Sequence, residues 1–268
     1  MRVDKVLAGF LCSMLFTGSS QTAELMFNTQ DFAPFNYEIE GVVSGPGSDM
    51  IRQVCLKIDV KCSFSLLPWR RAQQEVKKGV ANGMFVIGWN KARAEWVHFS
   101  PPILKTEYGF FTHSGSGLTY KTLKDVAGLT VAVFGPSNTS NTLRALQTKM
   151  IAEGLTPINI DIRPDDEAGF KKLALMRVDA VFSNRDVGYA LAAKLGVGHK
   201  VRYAGKTKEL NYYIGFAADH TERALLKKFN AAFKELDQAG VIRKILDKYD
   251  MLSADPKLIP ANFNKRSK

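Results

Sequence analysis

Histidine and cysteine, the side chains that most often carry metal or nucleophilic chemistry, are scarce: four histidines and three cysteines among 268 residues. His98, His113, His199 and His220 stand apart, and no two share the i, i+4 spacing of a helical zinc site. The chain has no Gly-x-Ser-x-Gly elbow and no phosphate loop ending in Gly-Lys-Ser/Thr. Gly196-Val197-Gly198 lacks the third glycine of a dinucleotide turn and follows a helical pattern, so it reads as a cap and turn. Asp165-Asp166-Glu167 reads as the acidic start of a helix, where negative charge suits the positive dipole end, rather than as a metal cluster. No catalytic residue, metal or cofactor is expected.

Long apolar runs are also missing. The one at the N-terminus spans residues 6–16, about half the roughly 20 residues a membrane helix needs. Arg2 and Lys5 precede it and a small-residue stretch, 17–23, follows, which is the order of a secretory leader, with cleavage near Ala23. Cys12 follows Leu11 rather than a small residue, which disfavours lipoprotein processing. A mature chain of about 245 of the 268 residues suffices for one large or two medium domains. The 46% apolar content of the full sequence argues against disorder. The formal charge is +11, and export plus the lack of zinc or aromatic-basic motifs points away from nucleic acid and towards a soluble basic exterior. Export leaves Cys55 and Cys62, an even pair in an oxidising compartment. They read as a disulfide, the alternative being two buried thiols.

Strand and helix patterns alternate. Strands are expected over 24–28, 62–67 and 80–88, with helices over 46–58 and from Pro68 to Gly79. After a Ser/Gly loop at 113–117 the rhythm restarts with strands at 129–134, 158–162 and 180–182 and helices at 139–153, 166–176 and 187–195. A strand at 210–217 and helices at 221–239 and up to Tyr249 follow, then a polar tail expected to be loosely held. Repeated strand–helix alternation implies βαβ units, here in two α/β lobes.

The motifs in this frame resemble one family. Asp31-Phe32-Ala33-Pro34-Phe35-Asn36-Tyr37, followed by Gly47-Ser48-Asp49-Met50-Ile51 opening a helix, resembles the start of a family 3 bacterial extracellular solute-binding protein. In family order come Pro68-Trp69-Arg70-Arg71-Ala72, Asn90-Lys91-Ala92-Arg93 with His98-Phe99-Ser100-Pro101, the 122–133 opening of a second lobe, Val178-Asp179-Ala180-Val181-Phe182 and Tyr212-Tyr213-Ile214-Gly215-Phe216. The resemblance covers about residues 24–249 and implies a type II periplasmic-binding-protein fold: two mostly parallel sheets flanked by helices and joined by a two-segment hinge near 111–114 and 204–211. The implied division is leader 1–23, lobe one 24–112 with 211–252, lobe two 113–210, and tail 253–268.

The resemblance also implies a site. Arg93 corresponds to the arginine that grips the ligand carboxylate, for which a planar guanidinium is suited; otherwise it is a surface arginine beside Glu95. Ser137 stands at a helix start where hydroxyl and backbone N–H groups meet the anion, a role compatible with plain N-capping. Trp69 and Phe32 occupy the aromatic walls, and Arg70 lies between cleft and solvent. Two departures stand out. Gly88 replaces a common Ser or Thr, and Asn184 replaces the acid that often receives the ligand ammonium, which points to a carboxylate ligand without a free amine or with one neutralised elsewhere. The implied function is capture of a small polar carboxylate ligand by a monomer that closes on it and serves an inner-membrane ABC permease. A sensor partner and a cyclohexadienyl-dehydratase-like enzyme are the alternatives; the enzyme requires a general acid or base that the sequence does not display.

Overall fold

The computed structural model describes residues 24–261 and 263, so the expected leader lies outside the described residues. The chain opens with β1 (Glu24–Thr29), a short hairpin of β2 (Tyr37–Ile39) and β3 (Val42–Ser44), α1 (Pro46–Ile58) and β4 (Lys61–Leu66). Then come α2 (Trp69–Lys77), β5 (Gly83–Gly88), the single-turn α3 (Lys91–Ala94) and the long β6 (Val97–His113). The second half runs β7 (Thr130–Phe134), α4 (Asn138–Ala152), β8 (Asn159–Arg163), α5 (Asp166–Ala174), β9 (Ala180–Asn184) and α6 (Arg185–Lys194). A second long strand, β10 (Val201–Ala217), returns to the first half, where α7 (Arg223–Gln238) and α8 (Val241–Lys248) pack.

The strands lie in the order β4-β1-β5-β10-β6-β9-β7-β8. β1 pairs in parallel with β4 and β5, and β7 does so with β8 and β9, giving the two βαβ halves that the alternation implied. β6 and β10 join them as a 17-residue antiparallel pair with several register shifts. β10 meets β5 only over Tyr212–Phe216, and β6 meets β9 only over Tyr108–Thr112. Residues 105–107 and 208–211 thus lie in the stretch where β6 and β10 pair with no strand but each other, between those two contacts.

β6 and the first half of β10 are strands that the sequence pattern does not announce. Pro101 and Pro102 interrupt the pattern of β6, yet at those two positions β6 is paired with β10 alone, and a missing N–H donor is tolerated there. The tail differs from expectation as well. Asn211 exchanges hydrogen bonds with Asp255 at 2.7 and 3.0 Å, and Phe263 packs on Tyr213 and Phe99, so Asp255 and Phe263 are held against the crossing strands.

Aromatic packing supplies much of each core. In lobe one Phe27 meets Phe216 at 5.6 Å and Phe229 at 6.0 Å; in lobe two Phe110 meets Phe182 at 5.0 Å and Phe111 meets Phe170 at 5.1 Å. Such pairs add about 1 kcal/mol each beyond burial. Cys55 on α1 and Cys62 on β4 form a disulfide with Cα atoms 6.2 Å apart, tying helix to strand.

Candidate ligand-binding site

The C-terminal ends of β1, β5, β7 and β9 face a common cleft, the place where α/β sheets put ligands. An inner cavity of about 40 Å3 there is lined by Phe32, Trp69, Gly88, Arg93, Ser137 and Asn184, six of the seven residues expected at the site. Arg70 is not among them; it lies on an outer vestibule of about 630 Å3 that shares Gln30, Phe32, Trp69, Phe134 and Asp166 with the inner cavity.

Arg93 is 7% exposed, which removes the surface reading. Asn90 caps α3 by accepting the Arg93 N–H at 2.7 Å, so the turn carrying the arginine is pinned. Nη1 donates to the Gly88 carbonyl at 2.5 Å and Nη2 to Gln73 at 3.4 Å, the guanidinium lies 5.3 Å from the Trp69 ring, and buried Nε has no partner. No carboxylate forms an ion pair with Arg93 among the described residues. Burial lowers its pKa to about 10, the mark of a cation that would gain from an anionic partner.

Ser137 caps α4: its hydroxyl accepts from the Ser140 N–H at 3.1 Å, donates to the Phe134 carbonyl at 2.6 Å and meets the Thr139 hydroxyl at 2.6 Å. Gly88 has a concrete role. A Cβ built there would overlap Asn138 Nδ2, so the missing side chain is what lets an amide of lobe two reach the β5 end. From that position Asn138 accepts a hydrogen bond from Asn90 at 2.7 Å. The lobes are thus bridged through the residue that caps the arginine's own turn.

Asn184 is fully buried, and each of its polar atoms is engaged. Oδ1 accepts the Asp186 and Val187 N–H groups to cap α6, while Nδ2 donates to Thr106 Oγ1 at 2.8 Å and to the Tyr212 hydroxyl at 3.1 Å. The amide is spent on holding α6, the crossing strand and Tyr212 together.

The cleft does contain an acid, at another position. Within Asp165-Asp166-Glu167, only Asp165 caps α5, accepting the Ala168 N–H at 2.7 Å. Asp166 turns into the cleft, where its carboxylate accepts from Ser183 Oγ at 2.8 Å and has no ion-pair partner among the described residues. Burial pushes its pKa up to about 6. Tyr108 lines the same cavity, where its hydroxyl accepts from that of Tyr212 at 3.5 Å. Burial raises the Tyr108 phenol to about 12, with Arg93 opposing and Asp166 adding to the rise, so both charges are felt at one ring. Asp166 escapes a reading of the sequence because its context is that of a cap; only its neighbour does the capping.

A protein of Bacillus subtilis (strain 168) named "Probable amino-acid-binding protein YxeM" is 27% identical over 81% of this chain and 79% of its own length. The arginine-binding periplasmic protein of Mannheimia haemolytica is 23% identical over 92% of this chain and 98% of its own. Among solved structures, a histidine kinase sensor domain similar to periplasmic binding proteins superimposes with a TM-score of 0.76 at 17% identity, covering 87% of this chain and 98% of that one. An ancestral arginine-binding protein bound to arginine gives 0.73 at 22% identity, covering 85% and 98%. The model of the bacterial extracellular solute-binding proteins, family 3, matches residues 26–251, and the chain belongs to that family.

Proposed function

We propose that the protein binds, reversibly and without chemical conversion, a small ligand carrying both a carboxylate and a cationic group, an amino acid or derivative. The carrying observation is that Arg93, buried, and Asp166, half-buried, line one small cavity with opposite charges, neither with an ion-pair partner from the protein among the described residues. Burying a lone charge is costly, and a dipolar ligand relieves both at once. The carboxylate goes to Arg93 and to the start of α4 at Ser137, the cation to Asp166, and Trp69 and Phe32 cover the faces. Asn184 positions these walls and makes no contact with the amine. A free amine, which the amide at 184 argued against, is accommodated by Asp166.

Groups of both lobes form this cavity, so the ligand favours the closed form, with the strands flexing near 105–107 and 208–211. Among the described residues no helix is long and apolar enough to cross a membrane. With the family's extracellular setting and the leader expected from the sequence, the reading is a monomeric periplasmic protein that hands its ligand to an ABC importer. A thermal-shift screen of the standard L-amino acids and their des-amino analogues tests it. Stabilisation by an amino acid and not by its des-amino analogue is expected; stabilisation by neither, or equally by both, overturns the two-charge site.

A second reading rests on Asp166 alone. A half-buried carboxylate with a raised pKa is the general acid or base that a dehydratase needs. Aromatic product from prephenate or arogenate, lost in Asp166→Asn, would establish it.

A further inference from the structure

The ligand's head group occupies the inner cavity, and the larger space outside it calls for more ligand. The inner cavity of about 40 Å3 admits only a few atoms beyond the head group, whereas the adjoining vestibule is about 630 Å3. This vestibule is not a gap between parted lobes. Asn90 already bonds Asn138 across the cleft at 2.7 Å, and Lys194 of α6 reaches Asp31 of lobe one at 4.0 Å at the rim. Room of that size therefore survives with the lobes in contact.

The lining gives the chemistry of the occupant. Leu67, Pro68, Phe134, Pro136 and Leu191 give the space apolar walls, and its charged lining is Asp31, Asp165, Asp166 and Glu167 beside Lys194 and Arg70. At the rim Lys194 is taken up by Asp31 and by Glu167 at 3.8 Å, but Arg70, exposed on the first turn of α2, has no ion-pair partner among the described residues. We propose that the ligand is an amino-acid head group bearing a long substituent with an apolar stem and an anionic tip, the stem lying along the vestibule and the tip meeting Arg70. The apolar walls cover the stem, and Arg70 supplies the rim cation not already neutralised. This rests on the Arg93–Asp166 reading of the head-group pocket.

Calorimetry on the mature protein separates the two layers. L-alanine presents the head group alone, Nε-acetyl-L-lysine adds an apolar stem with a neutral tip, and Nε-succinyl-L-lysine adds a carboxylate at the tip. The stem is expected to tighten binding by about tenfold or more, as burial of several methylenes does. The anionic tip adds about threefold, the scale of an exposed ion pair, and Arg70→Gln removes that second gain. Equal affinity for all three, weaker binding of the long compounds, or a tip gain that survives Arg70→Gln overturns the proposal while leaving the head-group reading intact. Failure of all three compounds to bind the unaltered protein sinks the head-group reading itself.

Discussion

Asp166→Asn should make the ligand-free protein more stable at neutral pH while spoiling its binding. The wild-type carboxyl has its pKa raised from the ordinary 3.8 to about 6 by burial. A raised acid stabilises the folded state only while protonated. That contribution is complete below about pH 4 and is lost as pH climbs through about 6. A rise of that size corresponds to at most about 3 kcal/mol, at about 1.4 kcal/mol for each tenfold change in proton affinity. The substituted amide stays neutral throughout and can still accept from Ser183, so it avoids the loss. Urea unfolding of both proteins at pH 4 and pH 7 reads the effect directly. The stability gap in favour of the variant should widen by about 2–3 kcal/mol between those values. Binding should move the other way. The fraction of ionised Asp166 in the ligand-free protein falls from about nine-tenths at pH 7 to about one-tenth at pH 5, so a cationic ligand should weaken about tenfold across that span in the wild type. The variant should bind weakly and show little of that dependence. A gap that stays constant with pH means the carboxylate is not buried as described. A widening gap with unchanged affinity means it is buried but does not touch the ligand.

Arg93→Ala should cost about 2–5 kcal/mol of ligand affinity, as expected when one side of a desolvated charged contact is removed, and should leave the ligand-free melting temperature within a few degrees; calorimetry and thermal shift check both. Gly88→Ala should weaken binding by colliding with Asn138 in the closed form, and adding Asn138→Ala should restore part of the loss. Independent, additive losses in that cycle would remove the steric link. Asn184→Asp should destabilise the fold by about 1–3 kcal/mol, since it removes the donor to Thr106 and Tyr212, without raising the preference for amine-bearing ligands; equilibrium unfolding and a paired titration with an amino acid and its des-amino analogue test this. Intact mass of the exported protein before and after reduction should show the Cys55–Cys62 bond, worth about 2.5 kcal/mol on the chain-entropy model.

Local pattern was enough for most of the fold. The helix over 46–58 is found at those bounds because its apolar stripe, Met50, Ile51, Val54 and Ile58, is also what the core buries. The central parallel strand β5 was legible because it is buried on both faces and reads as an unbroken apolar run. The cleft lining was legible through the family resemblance of motifs at strand ends, since short strand-to-helix turns leave those residues few other places to go. What the one-dimensional pattern did not show depends on partners distant in sequence. β6 hides behind Pro101 and Pro102 because only pairing with β10, some hundred residues on, makes an extended chain stable there. Asn184 reads as a ligand contact until Thr106 and Tyr212, 78 and 28 residues away, are seen to take its amide. Asp165 and Asp166 are neighbours of the same type. The first caps a helix, a local interaction; the second meets Ser183 and lines the same cavity as Arg93 because the packing of α5 on β9 decides which way it points. Sequence determined the elements and the motifs at their ends; tertiary structure determined which polar atoms were already spent and which charges were left for a ligand.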